Sequence, residues 1–174
     1  MKSLQIQDHK IFMQQFLLSG RFDSFELVSA QVTTFCTFKI DGSFLPGYLP
    51  AESSEEPESS EFAPSKEIRS HVLALVRGTS KPYSMRFVLR LSRENTEKVL
   101  ENTGSSLSPD DIGGLYLNIS YSRGAKDTLP EETITCVTGT SLKTFTPDKR
   151  LEHQWDDLAM KFFRKAGIPV SEMC

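Results

Sequence analysis

The chain has 174 residues, 38% hydrophobic and 25% charged, the proportions of one folded domain and not of a disordered or fibrous protein. Its net charge of −3 comes from 23 acidic and 20 basic residues; five of the acids, Glu52, Glu55, Glu56, Glu58 and Glu61, share one stretch, leaving 18 acids against the 20 bases elsewhere. A body so close to neutral excludes a nucleic-acid binder that neutralises phosphates over a broad surface, and the three scattered cysteines, Cys36, Cys136 and Cys174, exclude a disulfide framework or thiolate metal site and point to a reducing compartment.

In chain order, Lys2 to Ile6 reads as a short strand, and Asp8 caps a helix that turns Ile11, Phe12, Phe16 and Leu17 inward and stops at Gly20. Polar Gln5, Gln7, Asp8, His9 and Lys10 interrupt the apolar core a signal peptide needs, and no run reaches membrane-span length, so a soluble cytoplasmic protein is expected. From Phe25 to Ile40 the run FELVSAQVTTFCTFKI is rich in β-branched and aromatic residues. Asp41-Gly42 then supplies a hairpin signal, giving two or three strands. Leu49 to Ala63 is acidic, serine-rich and broken by proline, a composition that cannot offset the entropy of ordering it. It reads as a mobile loop, residues 49–63, between the two halves of a single domain, residues 1–174.

Ser65 caps a helix with Ile68, Val72, Leu75 and Val76 on one face, His71 beside them and Gly78 past its end. SMRFVLRLS alternates, with Met85, Phe87, Leu89 and Leu91 opposite Arg86, Val88 and Arg90. Ser92 caps a short helix to Gly104, and Ser108-Pro109-Asp110 opens a single turn. In LYLNISYS, Leu115, Leu117, Ile119 and Tyr121 alternate with Tyr116, Asn118 and Ser120. TITCVTGTSLKTF is a strand with a bulge expected at Gly139. Thr146-Pro147-Asp148 reads as the cap of a last helix, in which Leu151, Trp155, Leu158, Ala159, Phe162 and Ala166 repeat at helical spacing before Gly167 and Pro169. These elements predict an α+β fold: a mainly antiparallel sheet of about five to seven strands, amphipathic helices packed on one face, and the other face partly open.

Catalytic signatures are missing. His9, His71 and His153 stand apart, without neighbours at metal-ligand spacing, and there is no GxSxG elbow. Cys36 and Cys136 lie in strand-like runs that predict buried, inert thiols. Asp110-Asp111 and Asp156-Asp157 are adjacent pairs whose side chains diverge. No catalytic residue, metal or cofactor is therefore predicted. TGTSLKTFTPDKR offers a glycine, hydroxyls and a lysine, but GxxxxGK[ST] fails at Val137 and Leu142. Gly139, Thr140, Ser141 and Lys143 remain a candidate anion site near a helix start. Lys39, Arg86, Arg90, Tyr116, Asn118 and Lys143 form a candidate binding face if their strands align, suited to an acidic peptide, a phosphate-bearing ligand or single-stranded nucleic acid.

FDSFELVSAQVTTFCTFKIDG, SMRFVLRLSRENTEKVLENTG and LYLNISYS with TCVTGTSLKTFTPDKRLEHQWDDLAMKFF resemble, in that order and over nearly the whole chain, a family of clostridial Firmicutes proteins with no assigned activity. The resemblance implies a bacterial cytoplasmic origin and no catalytic residues to carry over. The order of elements is also similar to the paired α/β lobes of DNA sliding clamps, an analogy of shape that implies two superposable halves. Three functional expectations follow: a non-enzymatic binding or adaptor module using the open face; an enzyme acting on a small anionic substrate near Gly139 to Asp148, with Lys143 as its ligand; and a clamp-like partner of the nucleic-acid machinery. The acidic stretch adds the expectation of an internal competitor lying on the basic face. Monomer and dimer are not distinguished.

Overall fold

The strand and helix periods resolve, in a computed structural model describing residues 1–45, 60–77, 81–104, 107–124 and 132–173, into a single sheet with helices on one side. The elements are β1 (Ser3–Ile6), α1 (His9–Leu17), β2 (Phe25–Thr33), β3 (Thr37–Asp41), β4 (Ala63–Pro64), α2 (Ser65–Arg77), β5 (Ser84–Leu91), α3 (Arg93–Thr103), β6 (Ile112–Arg123), β7 (Glu132–Leu142), α4 (Arg150–Lys165) and β8 (Val170–Glu172), with 3-10 turns at Gly20–Phe22 and Pro109–Asp111. The strands run in the order β3-β2-β5-β6-β7-β1-β8, with β4 beside β2, and the pairings are antiparallel. Eight strands exceed the expected five to seven because β4 and β8, two and three residues long, are too short to show a period. Among the described residues the sheet is continuous and the buried side chains form one cluster. No helix among the described residues is long and apolar enough to cross a membrane.

Alternation decides which face is buried. Met85, Phe87, Leu89 and Leu91 of β5 and Leu115, Leu117, Ile119 and Tyr121 of β6 all point into the core. They meet Phe12 and Phe16 of α1, Val72 of α2, Leu100 of α3 and Leu151, Trp155, Ala159 and Phe163 of α4. Local chemistry bounds the helices at several expected positions, two of them clear in geometry. Asp8 accepts from the Ile11 amide at 2.9 Å at the start of α1, and Gly104 takes φ of 60° after α3, a left-handed conformation in which glycine carries no Cβ penalty. One polar pair enters the core. The Thr138 hydroxyl donates to Asp156 Oδ1 and accepts from the Lys2 amide at 2.7 Å, while Asp156 Oδ2 accepts from the Met1 ammonium at 2.8 Å.

Several expectations are corrected. The hairpin between β2 and β3 turns at Thr34 to Cys36, not at Asp41-Gly42. Gly42 serves a close approach instead: its amide donates to Val28 O at 3.0 Å, where β2 slips register between Leu27 and Ser29. A Cβ there would stand 1.7 Å from the carbonyl oxygen of Leu27. Gly42→Ala is expected to cost about 2 kcal/mol, measured as a lowered urea midpoint; an unchanged midpoint would mean that the bulge shifts freely. Ser65 begins α2 and donates to the carbonyl of Phe22 at 2.7 Å instead of capping. Thr146 and Asp148 bond the amides of Asp148 and Arg150 ahead of α4, whose own cap position is Lys149. His71 is exposed. Gly139 pairs in register with Tyr116, and the slip lies between Ile112 and Gly114 on β6. Most of the acidic 49–63 stretch lies outside the described residues.

Candidate functional site

On the helix-free face, strand order and register set side chains in rows. Lys39, Gln31, Arg86, Ser120, Thr135 and Gln5 lie side by side across β3, β2, β5, β6, β7 and β1. The next row contains Val88, Asn118 and Val137, and the third Glu26, Arg90, Tyr116 and Gly139. Lys39, Arg86, Arg90, Tyr116 and Asn118 therefore do share one face. Lys39 and Arg86 are two strand spacings apart, about 10 Å. Both are exposed, and neither has a hydrogen-bond or ion-pair partner among the described residues.

Arg90 differs. Its Nε donates to Glu26 Oε2 at 2.9 Å, its Nη1 to Glu61 Oε2 at 2.6 Å, and its Cζ stands 4.6 Å from the centre of the Phe62 ring, a cation-π contact. The Ser60 hydroxyl donates to the other oxygen of Glu26. The Arg90 and Glu26 side chains are 11% and 8% exposed, a pair largely withdrawn from water. Burial works against the guanidinium charge, but the bonds and charges of Glu61 and Glu26 hold its pKa above the ordinary value. Arg90 is thus engaged rather than displayed. Tyr116 is also withdrawn: its hydroxyl donates to Gly113 O at 3.1 Å, and a Cβ on Gly114 would lie 2.8 Å from both the Tyr116 ring and the Arg90 side chain, so glycine lets the two pack over the backbone.

The candidate anion site separates into two parts. Gly139, Thr140 and Ser141 are regular β7 residues opposite Tyr116, Leu115 and Gly114, and N–H groups that alternate in direction along a strand do not converge on one anion. Lys143 lies past the strand end in a cleft of about 90 Å³ with Arg90, Arg93, Glu61 and Asp110. The Ser108 amide and hydroxyl, with the Lys143 charge, hold the Asp111 carboxyl below its ordinary value. Arg93 bonds Asp110 at 3.1 Å and Glu97 at 3.2 Å. The cleft holds both Arg90 and Lys143, and carboxylates offset its cations.

Other groupings were not visible in the sequence. Glu132 accepts from Lys81 and approaches His9 Nδ1 at 3.4 Å; the Lys81 hydrogen bond is the main cause of its lowered pKa. Such a pairing joins residues 51 and 123 positions apart, so no local spacing announces it. The Tyr121 hydroxyl is buried without a hydrogen bond among the described residues, and burial, followed by the Glu132 charge, raises its pKa. Between α3 and α4 a groove of about 350 Å³ is floored by Phe25, Val99, Trp155, Leu158 and Phe162. Burial pushes the Cys136 thiol up to about 12, which keeps it protonated and unreactive. Cys36, expected to be buried, is exposed at the hairpin tip. No group of three or more His, Cys, Asp or Glu among the described residues is placed to hold a metal ion.

Neither a curated protein nor a solved structure matches the chain. A family model does, over residues 15–171, and on that match the chain belongs to DUF5721, a family of unknown function.

Proposed function

We propose that this chain is a non-enzymatic binding module of a reducing, cytoplasmic compartment that receives an acidic polypeptide segment on the helix-free face of its sheet. The observation that carries this reading is that the last glutamate of the chain's own acidic stretch, Glu61, is held by Arg90 at the margin of that face. Arg86 and Lys39 extend the same face with charges that form no ion pair among the described residues, among hydroxyl and amide side chains able to bond a peptide. A single-stranded nucleic acid fits less well, because stacking needs a free ring and Tyr116 is folded onto Gly114.

The test is fluorescence anisotropy of a labelled peptide with the sequence of residues 51–61, AESSEEPESSE, titrated with the full chain at low salt. Arg86→Glu is expected to weaken binding about fivefold, the effect of roughly 1 kcal/mol from an exposed charge. Glu61→Ala is expected to strengthen it by a similar factor, because the tethered carboxylate then no longer competes for Arg90. Equal affinities for wild type and Arg86→Glu would reject the assignment of this face.

A further inference from the structure

The outer edge of β3 has no partner strand among the described residues. Its hydrogen-bonding phase follows from its neighbours. Thr33 O accepts from Tyr83 on the β5 side at 2.8 Å, and Gly42 N donates to Val28 O at 3.0 Å. Phe38 and Ile40 therefore bond β2, while Thr37, Lys39 and Asp41 turn their N–H and C=O groups outward. Open edges of this kind are templates for another strand. This one is flanked by two exposed apolar residues, Phe35 at the hairpin tip, 85% exposed, and Leu45 past the strand end, 68% exposed.

We propose that β3 pairs antiparallel with β3 of a second copy of this chain, about a two-fold axis at Ile40, in the register that sets Lys39 opposite Asp41 of the second copy. Three features select this register. The two-fold axis makes the Lys39 and Asp41 pairing occur twice, once on each side of Ile40. The same alignment brings Phe35 beside Leu45 of the second copy and Thr37 opposite Ser43. Sliding by two residues, the smallest step that keeps outward groups facing outward groups, sets Lys39 against Lys39 in one direction and Asp41 against Asp41 in the other, and like charges directly opposite are unfavourable. Asp41 is ready for the contact. Its Oδ1 accepts from the Ser43 amide at 2.9 Å and the Ser43 hydroxyl at 2.6 Å, which leaves Oδ2 for the lysine. Pairing of this kind joins the helix-free faces of the two copies into one surface with an Arg86 on each side.

Sedimentation equilibrium of the full chain, without peptide, tests the dimer independently of ligand binding. The wild type is expected to shift from monomer to dimer as concentration rises. Lys39→Asp alone and Asp41→Lys alone are each expected to weaken association tenfold or more, and an equimolar mixture of the two variants to recover it, because every facing pair is then of opposite charge. Phe35→Ser, at an exposed position whose ring meets that of Phe38, is expected to weaken association while the fold keeps a single cooperative urea transition. A wild type that stays monomeric at every concentration overturns the proposal, as does a dimer that Lys39→Asp leaves unchanged or a mixture that associates no better than its components.

Discussion

Phe22→Ala is expected to lower the stability of the fold by about 4 kcal/mol, the middle of the range for large aromatic truncations in a core. Phe22 is 1% exposed and belongs to a three-residue 3-10 turn, yet its ring meets five others. The centroid distances are 6.1 Å to Phe12, 5.1 Å to Phe16, 6.0 Å to Phe25, 4.9 Å to Phe162 and 6.5 Å to Phe163. Those partners come from α1, β2 and α4, so one side chain links three elements that only tertiary packing holds together. Rigid rings cannot collapse into the space left behind, and a small cavity already lies between Phe22, Ile68 and Val72; truncation would enlarge it. Urea unfolding followed by the fluorescence of the sole tryptophan, Trp155, gives the measurement: a lowered midpoint with an unchanged slope. Phe145→Ala, at a residue 97% exposed, is the control and is expected to stay within about 0.5 kcal/mol of wild type. A loss below about 2 kcal/mol at Phe22 would show that the cluster repacks, since partial collapse is what lowers the cost at fixed chemistry.

Residues whose burial follows a simple period are legible in the sequence alone. The alternation of β5 and β6 and the apolar stripe of α4 each describe one element against one core, and an open polar face follows from a sheet covered on one side. The row Lys39, Gln31, Arg86 was not readable, because it depends on β2 pairing with β5 across more than fifty residues of intervening chain. Gly42 misled for a different reason: glycine marks both tight turns and close backbone approaches, and here the carbonyl of Leu27 requires it. In the sequence Asp156 shows only as one of two adjacent acids that diverge, although it is 4% exposed; a stripe of apolar residues does not announce that one buried neighbour faces a threonine. Period placed Arg90 on the correct face but could not show that Glu26, 64 residues away, stands opposite. The face was thus legible, and the availability of its charges was not.

That last distinction makes Glu26 the informative residue. Glu26→Ala is expected to cost about 3 kcal/mol, the lower end for breaking a buried ion pair by removing one partner. The lower end applies because Arg90 keeps Glu61, whose side chain is 71% exposed and so offsets the stranded charge through well-solvated surroundings. Arg90→Ala is expected to cost at least as much, since it leaves the Glu26 carboxylate buried with only the Ser60 hydroxyl as a described side-chain donor. The double change Glu26→Leu with Arg90→Met strands no charge and is expected to come within about 1 kcal/mol of wild type, as apolar replacements of buried pairs often do. Urea midpoints of the four proteins decide the matter, and single-variant losses below about 1 kcal/mol would show that water reaches the pair. The same variants separate structure from recognition. If Arg90 also receives acidic peptides, Glu26→Ala lowers stability while tightening peptide binding, because removing one internal carboxylate leaves the guanidinium more available to an external one. If both quantities fall together, Arg90 only fastens the segment after the acidic stretch to the sheet, and peptide binding then depends on Arg86 and Lys39.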